Sequence, residues 1–200
     1  MLVTQVVNRV LNSNTWLLTE DNFDAWLVDC GDVDLLQSVL QPNYTVKGVF
    51  ITHSHFDHIY GLNNLLKIWP RCIVYTNEFG YEALLSDKKN FSRYYEVSFI
   101  FEYPENICLL SDEKTVLLYN NVVMSNFSTP GHDPSCICYE CCGNLFTGDA
   151  YIPDTKPVTN LRGGNKEEYQ KSLTLIKERM NSCSFLFPGH GKSFCVNYKF

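Results

Sequence analysis

Two hundred residues, 45% apolar and 19% charged, have the balance of an ordinary globular fold with room for one sizeable core. The formal charge of −6 comes with 16 scattered basic residues, so a clustered phosphate-binding face, and with it a nucleic-acid partner, is not expected. No stretch reaches the roughly 20 apolar residues of a membrane span, residues 1–20 lack a basic region followed by an apolar run, and nine irregularly spaced cysteines do not make a secreted disulfide framework. The expectation is a cytoplasmic, single domain over residues 1–200 with reduced, mostly buried thiols and no membrane partner.

The chain opens with strand-like runs at 3–7, 15–18 and 25–29. Asp32 then reads as the N-cap of a helix carrying Leu35, Leu36, Val39 and Leu40 at helical spacing, which Pro42 ends. The β-branched and aromatic run 46–52 predicts a buried strand. One helix is predicted from about Asp57 to Trp69, a strand over 72–75 and a helix over 78–85. The second half alternates more loosely, with strands at 116–119, 122–127, 136–141, 145–147 and 184–187. Asn165 with Glu168 three residues on has a capping-box pattern, and Tyr169, Leu173, Ile176 and Met180 then share one helical face. Strands and helices so distributed suggest two packed sheets with helices outside.

The chemistry concentrates in Thr52-His53-Ser54-His55-Phe56-Asp57-His58, directly after a predicted strand. In extended chain, residues two apart point the same way. His53 and His55 can therefore converge on one ion, and Asp57 and His58 can face a neighbouring point as the chain turns into helix. His132 follows Pro130-Gly131, His190 follows Pro188-Gly189 and Asp149 follows Gly148, each just past a predicted strand. All five histidines of the chain are thereby accounted for. Imidazole with carboxylate suits zinc, and also iron or manganese. A water between two such cations loses a proton near neutral pH and can attack a carbonyl or phosphorus. No serine or cysteine nucleophile is needed, and Asp57 could help orient the hydroxide.

The His-x-His-x-Asp-His run, the Pro-Gly-His, the Gly-Asp and the final Pro-Gly-His together resemble the metallo-β-lactamase superfamily, and their wording is most similar to glyoxalase II-like hydrolases. Val28-Asp29-Cys30-Gly31 is similar to that superfamily's early Val-Asp-Pro-Gly turn, with Cys30 in place of proline. The resemblance implies an α+β fold, an αββα four-layer sandwich with the site at one edge. It implies two divalent metal ions, zinc first among them. His53, His55 and His132 would hold the first, and Asp57, His58 and His190 the second, with Asp149 between them and Asp29 steadying the ligand loops. The implied activity is metal-dependent hydrolysis of a small ester, thioester or lactone, with Asp57 and Asp149 nearest the chemistry.

Other readings follow from the same residues. Persulfide dioxygenases resemble this pattern with one iron on two histidines and an aspartate, here His53 or His55, His132 and Asp149. A nuclease is disfavoured by the acidic charge. A zinc β-lactamase of the main group would carry cysteine at position 149. Glyoxalase II enzymes add a C-terminal helical region that helps bind glutathione; ten residues follow His190, so glutathione specificity is not expected. The Cys136–Cys142 cluster reads as core packing, because no distant cysteine pair completes a zinc finger. Phe91, Tyr94, Tyr95, Phe99, Phe101 and Tyr103 could line a substrate pocket or simply pack. Lys156 and Arg162 lie on a long segment after Asp149 that a substrate could meet.

Overall fold

The structure is a computed structural model, described here for residues 1–196. Strands β1 (Leu2–Val7), β2 (Asn14–Thr19) and β3 (Asp24–Val28) form an antiparallel meander. β4 (Thr45–Phe50), β5 (Ile73–Thr76) and β6 (Ile107–Leu109) extend it as parallel strands. The parallel crossovers carry α1 (Val33–Val39), α2 (Phe56–Ile59), α3 (Leu62–Ile68) and α4 (Glu78–Leu84). The second sheet runs in the order β12-β11-β10-β9-β8-β7. Its strands are β7 (Thr115–Tyr119), β8 (Val122–Ser128), β9 (Ile137–Cys141), β10 (Asn144–Gly148), β11 (Phe185–Pro188) and β12 (Phe194–Cys195). Helix α5 (Lys166–Met180) crosses from β10 to β11, which pair in parallel.

Strand alternation sorts the side chains into layers. Trp16, Leu18, Trp26, Val28 and Phe50 point inward and meet Ile137, Tyr139, Phe146 and Phe187 of the other sheet. Their intervening neighbours Leu17, Leu27, Val49 and Ile51 point outward and pack on Leu36, Leu62, Leu65 and Leu66 of the first helical layer. On the far side Cys138, Leu145 and Leu186 pack on Ile176 of α5. The result is the expected helix–sheet–sheet–helix sandwich, and Cys136, Cys138 and Cys141 are core residues as expected, while Cys142 is exposed.

Three local expectations are corrected, and two short strands are added. The helix predicted from Asp57 to Trp69 is two helices, broken at Tyr60-Gly61. Gly61 lies so close to the chain after β3 that a Cβ there would sit 1.8 Å from the Gly31 carbonyl oxygen, and its N–H donates to Cys30 (3.1 Å). Asp32 occupies the N-cap position of α1 but makes no side-chain cap; its carboxylate accepts from Arg9 and from the Tyr60 hydroxyl (2.7 Å). Asn165 does cap α5, accepting from Glu167 and Glu168 backbone N–H groups, but its own N–H donates to the Gly131 carbonyl (2.8 Å) rather than back to Glu168. Strands β6 and β12, of three and two residues, carry no periodicity long enough to be read from sequence.

Candidate metal centre

Every expected ligand lies just beyond a strand end. His53, His55, Asp57 and His58 follow β4, His132 follows β8, Asp149 follows β10 and His190 follows β11. Each loop is fastened by bonds from elsewhere. Asn14 holds the His190 turn through its N–H to Gly189 (2.7 Å) and its amide to Pro188 and Gly191 (2.9 Å each). The Ser13 hydroxyl donates to the Asp57 carbonyl (2.6 Å). Ser135 accepts from the Ser54 N–H (3.0 Å) and donates to Asp133 (2.5 Å), tying the first histidine loop to the His132 loop. The start of α5 buttresses that same loop, with the Ser172 hydroxyl on the Pro130 carbonyl (2.6 Å).

All seven side chains converge, in two overlapping halves. His53, His55 and His132 form one group whose ligand atoms lie within 4.8 Å of one another; Asp57, His58 and His190 form the other. His132 Nε2 is 3.1 Å from His55 Nδ1, and His58 Nε2 is 3.3 Å from His190 Nε2. Asp57 Oδ2 is 3.3 Å from both of the latter nitrogens. Asp149 reaches both halves: Oδ1 is 3.5 Å from His58 Nε2, and Oδ2 is 3.5 Å from His190 and 3.7 Å from His132. Five of the seven are buried, whereas the side chains of Asp149 and His190 are 14% and 25% exposed.

The donor atoms fit a pair of cations. His53 Nε2, Asp57 Oδ2 and Asp149 Oδ1 are buried without any hydrogen-bond partner. An uncompensated polar atom inside a protein costs free energy, and imidazole nitrogens facing each other at 3.1–3.3 Å repel unless a cation or proton lies between them. The outward nitrogens fix which atom faces in. His58 Nδ1 lies 2.8 Å from Asp29, His132 Nδ1 lies 2.7 Å from the Val158 carbonyl, and His53 Nδ1 lies 3.2 Å from the Thr52 hydroxyl. His55 turns its Nε2 toward Asp133 at 3.5 Å, too long for a good bond. Asp29 also comes near His53 and His58, but its oxygens already accept from the Thr52 N–H, the Thr52 hydroxyl and His58, so it positions rather than ligates.

The electrostatics divide along the same seam. Burial, then the neighbouring imidazoles, hold His53 well below its ordinary pKa, and burial with His55 lowers His132. Burial works against a charge on His58 too, but the carboxylates of Asp57, Asp149 and Asp29 outweigh it and raise that imidazole. Asp57 and Asp149 are kept ionised by His58 and His190 in spite of burial. The Asp57 side of the cluster therefore carries the negative charge that would offset cations.

Asp133, Ser135, Thr52, Asn14 and the Val158 carbonyl went unread in the sequence. Asp133, next to His132, had the one available signal, a carboxylate adjoining a ligand. Of the two cations flagged after Asp149, Lys156 lines a small cavity with His132 and Asp149, whereas Arg162 lines a different one beside Phe79 and Pro134. The aromatic stretch splits. Phe99 and Phe101 are buried, Phe91 sets its ring edge-on to His55 at 4.9 Å, and Tyr94 and Tyr95 are exposed.

The metallo-beta-lactamase superfamily profile matches residues 8–190, and the chain belongs to that superfamily. Hydroxyacylglutathione hydrolase of Tolumonas auensis (strain DSM 9187 / NBRC 110442 / TA 4) is 25% identical over 95% of this chain and 66% of its own length. A probable polyketide biosynthesis zinc-dependent hydrolase, PksB of Bacillus subtilis (strain 168), is 27% identical over 74% of this chain and 59% of its own. The chain thus spans less than two thirds of either relative. Among solved structures, the BLEG-1 B3 metallo-beta-lactamase superposes with a TM-score of 0.86 at 25% identity, covering 98% of this chain and 94% of that one. Among the described residues no helix is long and apolar enough to cross a membrane.

Proposed function

We propose that this chain is a metal-dependent hydrolase acting on the carbonyl of a small ester, thioester or lactone. The observation that carries the reading is the convergence of seven side chains whose inward atoms are buried and partnerless, or face each other too closely without a cation. His53, His55 and His132 would hold one divalent ion, Asp57, His58 and His190 the other, and Asp149 would touch both. Two such ions, when bound, supply Lewis acidity and a hydroxide nucleophile near neutral pH. Asp29, the Val158 carbonyl and Thr52 keep their imidazoles in the tautomers that present the inward nitrogens. Asp57, held ionised, can accept a hydrogen bond from an attacking water and orient it. Beside His190, the most exposed of the seven, Lys192 and Thr155 line a cavity of about 300 Å³ that can admit substrate.

Zinc is the first candidate, because imidazole and carboxylate suit it. The cytoplasm is the compartment we propose, in keeping with nine free cysteines, six of them buried. The partner is a small molecule; the net charge of −6 speaks against nucleic acid. The test is elemental analysis of purified protein joined to a panel of thioester, ester, lactone, β-lactam and phosphodiester substrates. Two ions per chain with hydrolysis of a carbonyl substrate is the expected result. One iron per chain with oxygen uptake on a persulfide, and no hydrolysis, overturns it.

A further inference from the structure

A groove of about 1030 Å³ opens between α3 and the 92–102 segment, beside the candidate metal centre. Small-molecule sites commonly measure about 300–1,000 Å³. Its lining is largely apolar, with Phe56, Tyr95, Val97, Phe99 and Phe101 among it and Asn63, Lys67 and Glu102 at its polar margin. Val97 and Ile100, 71% and 52% exposed, hold apolar surface open to water within this concavity.

The groove adjoins the metal centre through Phe56, although none of the seven candidate ligands lines it. Phe56 lies in the chain between two expected ligands, His55 and Asp57, and its ring packs on Tyr95 at 4.6 Å. Phe91, edge-on to His55, stacks in turn with Tyr94 at 6.3 Å. The Tyr95 phenol is raised by burial and then by the nearby Asp57 carboxylate, which agrees with that proximity.

The wall is also built to hold its shape. Asn90 donates to the Ala83 and Phe99 carbonyls (3.1 and 3.0 Å), and the Phe99 N–H donates to the Ser92 hydroxyl (2.8 Å). These bonds close the loop on itself. Asn63 of α3 donates to the Ile100 carbonyl (2.9 Å) and accepts from the Glu102 N–H (3.0 Å), fastening loop to helix. A preformed apolar groove binds without first being ordered, which favours affinity.

We propose that this groove receives the apolar acyl chain of an ester or thioester whose carbonyl lies at the seven-residue cluster. The inference rests on the hydrolase reading above and narrows its substrate to acyl groups longer than acetyl. In the reaction, water adds hydroxyl to the acyl carbon, the C–O or C–S bond breaks, the alcohol or thiol leaves with water's other proton, and the carboxylic acid formed gives its proton to solvent and departs as the carboxylate. The chain makes no polar demand on the groove, and the rim residues stay in water.

The test uses two independent readouts. The first is fluorescence of 11-(dansylamino)undecanoic acid, titrated into metal-loaded and chelator-treated protein. Saturable binding of one probe per chain is expected, weakened roughly tenfold by Val97→Asp, because a charge would sit against the bound chain. The second is kcat/KM for acetyl, butyryl, hexanoyl and octanoyl esters and thioesters. It should rise about fourfold per added methylene until the groove is filled. Val97→Asp should flatten that rise and leave the acetyl substrate unchanged. Ile100→Asp is a second exposed position should the first variant not fold. A flat chain-length profile without probe binding overturns the acyl groove while the hydrolase reading stands. Probe binding that Val97→Asp weakens, with no ester or thioester hydrolysed, supports the groove and counts against the hydrolase reading. A dimer in sedimentation that Val97→Asp disperses makes the groove a subunit interface and overturns the proposal.

Discussion

Replacing Asp29 separates positioning from ligation. Its side chain is 1% exposed and accepts three bonds, from the Thr52 N–H (2.7 Å), the Thr52 hydroxyl (2.7 Å) and His58 Nδ1 (2.8 Å). Truncation in Asp29→Ala strands these donors, each at roughly 1–3 kcal/mol, so about 3–9 kcal/mol in all. Residue 29 also has φ of 60°, a left-handed conformation that alanine tolerates less well than aspartate or asparagine. That sum rivals the whole stability of a domain, about 5–15 kcal/mol, so Asp29→Ala should unfold or nearly so. Asp29→Asn keeps the shape and the backbone fit but puts an amide where two acceptors are needed. It should stay folded and release His58, so the ion of the Asp57–His58–His190 half should bind about 10–100-fold more weakly. The His53–His55–His132 half should lose less, since Asp29 reaches it only through the Thr52 hydroxyl beside His53. Competition with a chelator, read with thermal unfolding, measures both effects. If Asp29→Asn binds two ions per chain at wild-type affinity, Asp29 does not orient His58 for metal binding and the reasoning fails.

Asp149→Ala should lose more bound metal than removal of any single histidine, with the circular dichroism spectrum kept, because the core lies between the sheets; wild-type metal content in that variant would sink the bridging role. Gly189→Ala should do comparable harm from a residue with no ligand atom, since the new Cβ would sit 2.1 Å from Asp149 Oδ1 and 2.9 Å from His58 Cε1; elemental analysis of that variant is the check. Burial would lower His190, but Asp149 and Asp57 hold it up at about 9. In metal-free protein that ion pairing therefore stabilises fully below an unfolded pKa of about 6.5 and is lost as pH rises through 9. Metal binding needs the neutral imidazole and should strengthen over the same rise. An NMR titration of metal-free protein placing His190 near its ordinary value would contradict this. Burial pushes Cys138 and Cys72 up to about 12 and raises Cys30 and Cys136 well above the ordinary thiol value. Iodoacetamide on native protein should therefore mark exposed Cys142 first, and Cys142→Ser should leave metal content unchanged.

The sandwich was legible because two-residue alternation is a local property: Trp16 and Leu18 on one side and Leu17 on the other already state which way β2 faces. Where an element is short, or another segment breaks it, that signal fails. The Tyr60-Gly61 break exists only because the Gly31 carbonyl lies against it, and β6 exists because β5 offers it an edge. That the seven expected side chains would converge could be read for a related reason. Metal-binding side chains in short loops after apolar strands are few in type and fixed in order, and the chain has five histidines to place.

What tertiary structure alone decided is what surrounds each of them. Which imidazole nitrogen faces inward depends on what the other one meets. Those partners are Asp29, 29 residues before His58, and the Val158 carbonyl, 26 residues after His132. The groove beside Phe56 likewise joins α3 to a segment more than 20 residues further on. Ligand identity and strand phase are carried by neighbours in sequence, whereas orientation, burial and the shape of a cavity are set by groups that only folding brings together.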